Sequence, residues 1–310
     1  MNTDKKIVFY NHYNRGDLFC NKEFIKQIVS ECSDIDFEYM HMQPKDLTDS
    51  MGISFGGEPL SNLVRNKTLL KNDNTLYINT WIASNWDLFC EHGGANMSTL
   101  YDLWGKIFKG INKVFDKNLQ LDTIKENYLP RAINDINSIP KSKIDDLAKN
   151  NNSKLVLVCN GQPKSNQSFL YSLTDLIKPF IDKSQYTFIF TEYEDIDSKN
   201  IIFTNDIFGE YETDLFEISY LSKFCDIIIG RNSGPFTYSE TYENYMDSSK
   251  TFLSFNTKNP DYETIQETMS YQLKLKCKYI TVPIIDIHNK QDNDVKNINN
   301  AFEEVLNEKT

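Results

Sequence analysis

Short apolar runs alternate along this chain with longer stretches in which apolar residues recur every third or fourth position. Ile7-Val8-Phe9-Tyr10 is the first run and reads as a strand. A polar loop from Asn11 to Asp17 leads into a helix marked by Leu18, Ile25, Ile28 and Val29. Asp36–Met40 and Leu76–Ile82 read as further strands. From Ser98 a long helix carries Leu100, Trp104, Ile107, Phe108, Ile111, Val114 and Phe115 on one face.

Residues Asp145–Ser153 are polar and Asn-rich and read as a linker, after which the pattern restarts. Lys154–Cys159 is apolar after its first residue, as a sheet covered on both faces requires. Beyond the loop Asn160–Ser165, a helix runs through Phe169, Leu173, Leu176 and Ile177. Thr187–Phe190, Ile201–Phe203, Ile227–Gly230, Phe252–Phe255 and Tyr279–Val282 read as strands. Asp214 with Glu217 predicts a capping box opening a helix over Leu215–Phe224, and a tail helix covers Val295–Leu306.

Alternating strands and helices predict an α/β fold with parallel sheets and crossover helices. Two rounds of the pattern predict two facing Rossmann-like domains, at 1–150 and 151–292. The helix in 293–310 is expected to pack back across the domains. Ligands in such sheets bind beyond the carboxyl ends of the strands, so the loops that follow strands are where chemistry is expected.

Composition narrows the classes. With 310 residues, 40% of them hydrophobic and 20 Phe and 17 Tyr among them, the chain can build a large core, which excludes global disorder. A net charge of −11 argues against a broad nucleic-acid footprint. The six cysteines are spread out with no CxxC pair, which fits neither a zinc site nor a redox motif and suits a reducing, cytoplasmic setting. No apolar run approaches the roughly 20 residues of a membrane helix. Peripheral contact with the inner face of a membrane stays open.

Four loops carry candidate chemistry. In the loop after the first strand, Asp17 or His12 can serve as general base if its pKa is raised toward working pH, and Arg15 can hold an anionic group of an acceptor. Asp17 is equally suited to balancing a helix dipole, and His12 to a plain loop position. In Gly161-Gln162-Pro163-Lys164, Lys164 can neutralise a diphosphate, with Gly161 and Gln162 near the donor nucleotide or sugar; as a surface lysine it needs no ligand. In Gly230–Pro235 a buried strand meets a tight turn and a helix start. There Arg231, Asn232, Ser233 and Gly234 suit a phosphate, while Glu240 can bind a sugar hydroxyl or stand as an ordinary helical glutamate. The same turn also reads as a simple βα connection with Ser233 as N-cap and Pro235 near the first helical position. In Asn79–Trp86, tryptophans beside amides suit sugar faces: Trp81 and Trp86 are candidate acceptor-binding residues, although Trp81 also fits the core.

GxGxxG, P-loop, GxSxG and HExxH patterns are absent from the sequence. Asp195-Ile196-Asp197 has DxD spacing but sits in a polar stretch with Glu192 and Glu194, so no metal is expected.

The strand Ile7–Tyr10 followed by Gly16-Asp17 resembles the N-terminal signature of the heptosyltransferase-like family, glycosyltransferase family 9. The strand Ile227–Gly230 followed by Asn232-Ser233-Gly234-Pro235 resembles its donor-phosphate loop. The resemblance covers the layout of most of the chain and implies a GT-B fold, acceptor domain first and donor domain second. It also implies inverting, metal-independent transfer of a hexose or heptose from a nucleoside-diphosphate sugar to a glycan or lipid-linked acceptor in surface polysaccharide or lipopolysaccharide synthesis, with no cofactor. On that resemblance Asp17 is the base, Asn232, Ser233 and Gly234 the donor loop, and Lys164 the phosphate-binding lysine. Arg231 inside the donor loop, the segment Met51–Pro59 and the Trp-rich stretch depart from the family, which leaves the sugar open. A GT-B nucleotide-sugar epimerase and a non-catalytic nucleotide-sugar-binding protein are the alternatives.

Overall fold

The computed structural model describes residues 5–13, 15–43, 45–134, 140–161, 172–209, 214–231, 233–257, 273–284 and 292–306. The chain divides into two compact units, Met1–Pro130 with Thr268–Lys274, and Arg131–Glu267 with Leu275–Thr310.

The first unit is built on β1 (Lys6–Asn11), α1 (Arg15–Glu31), β2 (Asp36–His41), β3 (Ser54–Phe55), β4 (Leu69–Asn72), β5 (Thr75–Asn79), α2 (Trp86–Glu91) and α3 (Met97–Phe115). Its five-stranded sheet runs β3-β2-β1-β5-β4, parallel except for the antiparallel edge strand β4. The apolar run from Ile7 to Tyr10 is buried throughout, which places β1 at the centre. The seven positions expected on the buried face of α3 carry its packing, with Val114 only partly covered. The helix starts where the Asn96 side chain accepts the N–H of Thr99 (3.0 Å) and stops at Asp116, whose φ of 55° is left-handed. Trp104 stacks on Phe24 (5.2 Å), which stacks in turn on Tyr128 (4.1 Å), closing the core between α1 and α3.

The second unit comprises α4 (Lys141–Asn150), β6 (Lys154–Cys159), α5 (Leu173–Ile177), β7 (Tyr186–Phe190), β8 (Ile201–Phe203), α6 (Thr204–Phe208), α7 (Leu215–Leu221), β9 (Ile227–Gly230), α8 (Gly234–Ser239), α9 (Tyr242–Tyr245), β10 (Thr251–Thr257), β11 (Lys278–Ile284) and α10 (Asp292–Leu306). Its sheet, β11-β10-β9-β6-β7-β8, is parallel throughout. The two central strands, β6 and β9, are the most continuously apolar and are buried apart from Lys154. Ile298, Phe302 and Leu306 of α10 join the core of this unit, with Phe302 beside Phe180 and Phe255.

The α/β architecture with two mostly parallel sheets is therefore the one the pattern predicts. Three local expectations change. Asp145–Asn150, read as linker, is the second half of α4, because Ile144 is buried and anchors the helix. The Asp214–Glu217 capping box does not form: Asp214 makes no cap bond, and its carboxylate instead accepts the Thr204 hydroxyl (2.9 Å). The strand expected to reach Ile82 stops at Asn79, whose side-chain oxygen takes the N–H of Trp81 (3.1 Å) and turns the chain. Among the described residues no helix is long and apolar enough to cross a membrane.

Candidate functional site

Each sheet has a topological switch point, where neighbouring strands continue into opposite halves of the strand order. Crevices beyond the carboxyl ends of strands form there. In the first unit that point lies between β1 and β5, and in the second between β6 and β9. All four candidate loops follow one of these strands.

In the first unit, Thr80 knits the carboxyl edge together. Its N–H and hydroxyl both donate to the Tyr10 carbonyl (3.0 and 3.3 Å), while its oxygen takes bonds from Asn11 Nδ2 (3.2 Å) and Tyr39 Oη (2.6 Å). The Thr80 carbonyl accepts Asn21 Nδ2 (2.9 Å), and Asn21 Oδ1 accepts Trp104 Nε1 (2.7 Å). Asn21 Nδ2 also donates to the Asp17 carbonyl (2.5 Å), so the first turn of α1, where the partly buried Asp17 stands, is fixed against the end of β5. Asp17 is close enough for its charge to add to the raised pKa of the Tyr39 phenol, which burial drives first.

The remaining candidates line the same edge. His12 Nε2 lies 3.2 Å from the Leu63 carbonyl. A carbonyl can only accept, so Nε2 carries the proton and Nδ1 is the nitrogen left to act as base. Trp81 lies against the Tyr13 ring (4.3 Å between centres), and the Arg65 guanidinium stands over the other partner of that stack, 5.6 Å from the Tyr13 centre. Arg15 Nε donates to Gln43 Oε1 (3.0 Å), and Gln43 Nε2 donates to the Tyr13 carbonyl (3.1 Å). Trp86 is 55% exposed and, among the described residues, stacks on Phe89 alone (5.2 Å), so it offers an open ring face. Fully buried His41 ends β2 beside this edge. Its Nδ1 accepts the Gln43 N–H (3.1 Å), its Nε2 has no partner among the described residues, and burial pushes its pKa down to about 4.

In the second unit, Arg231 follows β9 and is fully buried. Its Nε and Nη2 donate to the carbonyls of Gly161 (3.3 Å) and Asn160 (3.2 Å), tying the loop after β9 to the loop after β6. Asn160 is itself held by the N–H of Glu192 (2.9 Å) and by donating to the Glu192 carbonyl (3.0 Å). A Cβ at Gly161 would lie 2.5 Å from Glu192 Oε1, so the exposed Glu192 side chain would have to move aside. Ser233 is the residue before α8, and its side chain makes no cap bond. Its Oγ is buried and has no partner among the described residues. Gly234 opens α8. Gln162, Lys164 and Asn232 lie outside the described residues.

Glu240 stands at the opposite end of α8 from Ser233. Its Oε1 accepts hydrogen bonds from Tyr245 Oη (2.7 Å) and Tyr279 Oη (3.0 Å), and burial, only partly offset by those bonds, pushes its pKa up to about 7. The second-unit candidates thus fall into two places: Gly161, Arg231, Ser233 and Gly234 at the switch point, and Glu240 with its tyrosines at the far end of α8.

Solved structures similar to this chain include glycosyltransferases. One is the glycosyl transferase family 9 protein from Veillonella parvula, at 13% identity over 100% of this chain and 99% of that one, with a TM-score of 0.49. A second is the E. coli ADP-heptose lps heptosyltransferase II, at 11% identity over 97% of this chain and 98% of that one, TM-score 0.47. A third is the glycosyltransferase SnogD from Streptomyces nogalater, at 8% identity over 99% and 96%, TM-score 0.46. No family model matches the chain, and no curated protein matches it.

Tyr13, Gln43, Arg65, Thr80 and Asn160 belong to these two edges and are not singled out by sequence reading. Tyr13 and Thr80 sit inside loops the pattern does mark. Gln43 and Arg65 arrive from distant segments through tertiary contacts, for which a single sequence carries no signal.

Proposed function

We propose that the chain is a glycosyltransferase that moves a sugar from a nucleoside-diphosphate sugar to a hydroxyl of a glycan or lipid-linked acceptor, with inversion and without a metal ion, in surface-polysaccharide synthesis. The observation that carries this reading is the switch point of the second sheet. There two loops are braced by a buried arginine, and the buried Ser233 hydroxyl has no partner among the described residues.

The proposed roles fall on the carboxyl edge of each sheet. Asp17 takes the proton of the acceptor hydroxyl as its oxygen attacks the anomeric carbon; the bond from that carbon to the diphosphate oxygen breaks, and the electron pair leaves with the diphosphate. Negative charge then grows on the leaving group. The Gly234 N–H, the Ser233 hydroxyl and Lys164 donate to it, and Arg231 contributes its charge while bracing the seat. The Trp81–Tyr13 stack and exposed Trp86 offer ring faces to acceptor sugars, and Arg15 and Arg65 attract acidic groups on them. His12 is the second candidate base, through Nδ1.

Asp17→Asn keeps the shape and removes the base. Turnover should fall by about 10²-fold or more, while donor binding measured by calorimetry stays at the parent value. Unchanged turnover would remove Asp17 from this role. A sugar isomer formed from donor alone, without acceptor, would instead mark an epimerase.

A further inference from the structure

The carboxyl edge of the second sheet carries an aromatic ring to which the proposed reaction gives no role. Tyr193, in the loop after β7, is 72% exposed, more than any other large apolar or aromatic side chain among the described residues. Exposure alone says little, since single apolar side chains are common on protein surfaces. What sets Tyr193 apart is how firmly its loop is held. The Thr191 N–H donates to the Val158 carbonyl (3.1 Å), and the Thr191 carbonyl accepts the Thr204 hydroxyl (3.3 Å). Asn160 grips Glu192 twice, its Oδ1 accepting the Glu192 N–H (2.9 Å) and its Nδ2 donating to the Glu192 carbonyl (3.0 Å). On the other side of Tyr193, the Glu194 carboxylate accepts the Thr174 hydroxyl (3.0 Å), and Ile196 packs on the core. The ring itself rests against Phe203, the last residue of β8, with 4.9 Å between centres and 44° between planes. Phe203 is the one ring against it among the described residues, and the side away from Phe203 is open.

The Asn160 carbonyl also accepts Arg231 Nη2 (3.2 Å), so the brace that holds the Tyr193 loop is continuous with that of the proposed diphosphate seat. Strand order sets the separation. β9, β6, β7 and β8 are successive neighbours about 4.8 Å apart, which puts the gap between β7 and β8 about 10 Å across the sheet from the crevice between β9 and β6. The ribose of a nucleoside diphosphate bridges a distance of that order between phosphate and base. Charge narrows the choice of ligand group. Glu192, Glu194 and Asp195 flank Tyr193 along the chain, and carboxylates repel a phosphate. The part of a bound molecule that reaches this ring is therefore uncharged. A nucleobase is uncharged and flat, and any of the bases presents a face that stacks on an aromatic side chain.

We infer that Tyr193 is the stacking platform for the nucleobase of the donor. Phe203 backs the ring, the Asn160 brace fixes its distance from the diphosphate seat, and the base covers the open face. The inference rests on the diphosphate seat proposed above and adds the residue that holds the other end of the same ligand.

Titration calorimetry of the full chain with the diphosphates of adenosine, guanosine, uridine, cytidine and thymidine, and with inorganic pyrophosphate, tests it. At least one nucleoside diphosphate should bind the parent more tightly than pyrophosphate does. Tyr193→Ala should weaken that nucleoside diphosphate about tenfold and leave pyrophosphate at the parent affinity. Tyr193→Phe keeps the ring and should bind as the parent does. Ser233→Ala should instead weaken both ligands, because it acts on the phosphates. Position 193 is exposed, and unchanged thermal unfolding would confirm that its variants are folded. Parent-like binding of every nucleoside diphosphate by Tyr193→Ala, an equal loss for pyrophosphate, or a loss in Tyr193→Phe as large as in Tyr193→Ala would each overturn the platform. A response to Ser233→Ala in the same experiment would show the diphosphate seat standing without it, and a parent that binds no nucleoside diphosphate would remove both.

Discussion

At Glu240 a single carboxyl records how far environment can move a residue from its sequence-level reading. As a helix-end glutamate it suits a sugar hydroxyl or plain solvent. In the fold it faces two tyrosine hydroxyls, and burial raises its pKa from 4.5 to about 7. Below the lower value the carboxyl is neutral in folded and unfolded chains alike. Between the two, the folded chain keeps a proton that the unfolded chain has released, so stability is full at low pH and declines as pH rises toward 7. Each unit of such a shift corresponds to about 1.4 kcal/mol. Glu240→Gln cannot lose that proton. Its urea midpoint should exceed the parent's at about pH 8 and match it in mild acid; equal midpoints at both would show that Glu240 ionises freely. Sequence could not show this, because Tyr279 reaches Glu240 from β11 at the edge of the sheet. Asp17 was more legible: its place just inside a helix that follows an apolar strand is a local property, and the structure puts it in the first turn of α1.

Among the elements, legibility follows the strength of the local pattern. β6 coincides with its expected span because six consecutive residues, all but the first apolar, define both its ends. β4 is too short, and too mixed at Leu-Leu-Lys-Asn, to declare itself; pairing with β5 creates it. α4 was hidden because only Ile144 of its ten residues is buried. The Asp214–Glu217 pair shows the reverse error, a correct local motif overridden when a buried neighbour, Thr204, claims the capping carboxylate. The end of α7 and the turn after it depend instead on a residue in the turn before β10. Buried Lys250 donates all three of its protons, to the carbonyls of Ser222 (3.2 Å), Lys223 (2.8 Å) and Cys225 (2.7 Å). Lys250→Met would fill the same space and strand those carbonyls, so urea unfolding at neutral pH should show a loss of about 2 kcal/mol or more. A midpoint equal to the parent's would mean that the turn before β9 holds without the lysine.

For the molecule as a whole, the decisive feature is the strand order in each sheet. Periodicity predicts parallel sheets but says nothing about which strands lie side by side. The order itself puts the loops after β1 and β5 together in one unit, and those after β6 and β9 together in the other. This is why short motifs from distant parts of the sequence converge on two edges, and why pairings such as Tyr13 with Trp81, or Arg231 with Gly161, escape a linear reading. The proposed reaction requires the second of those edges to seat a diphosphate. Titration calorimetry of the parent and of Ser233→Ala against a panel of nucleoside diphosphates tests it most directly. Ser233 Oγ has no partner among the described residues, so its removal should leave folding intact. At least one nucleoside diphosphate should bind the parent, and Ser233→Ala should weaken that binding about fivefold, the equivalent of one lost hydrogen bond. Silence across the whole panel, or equal affinity for both proteins, would contradict the account.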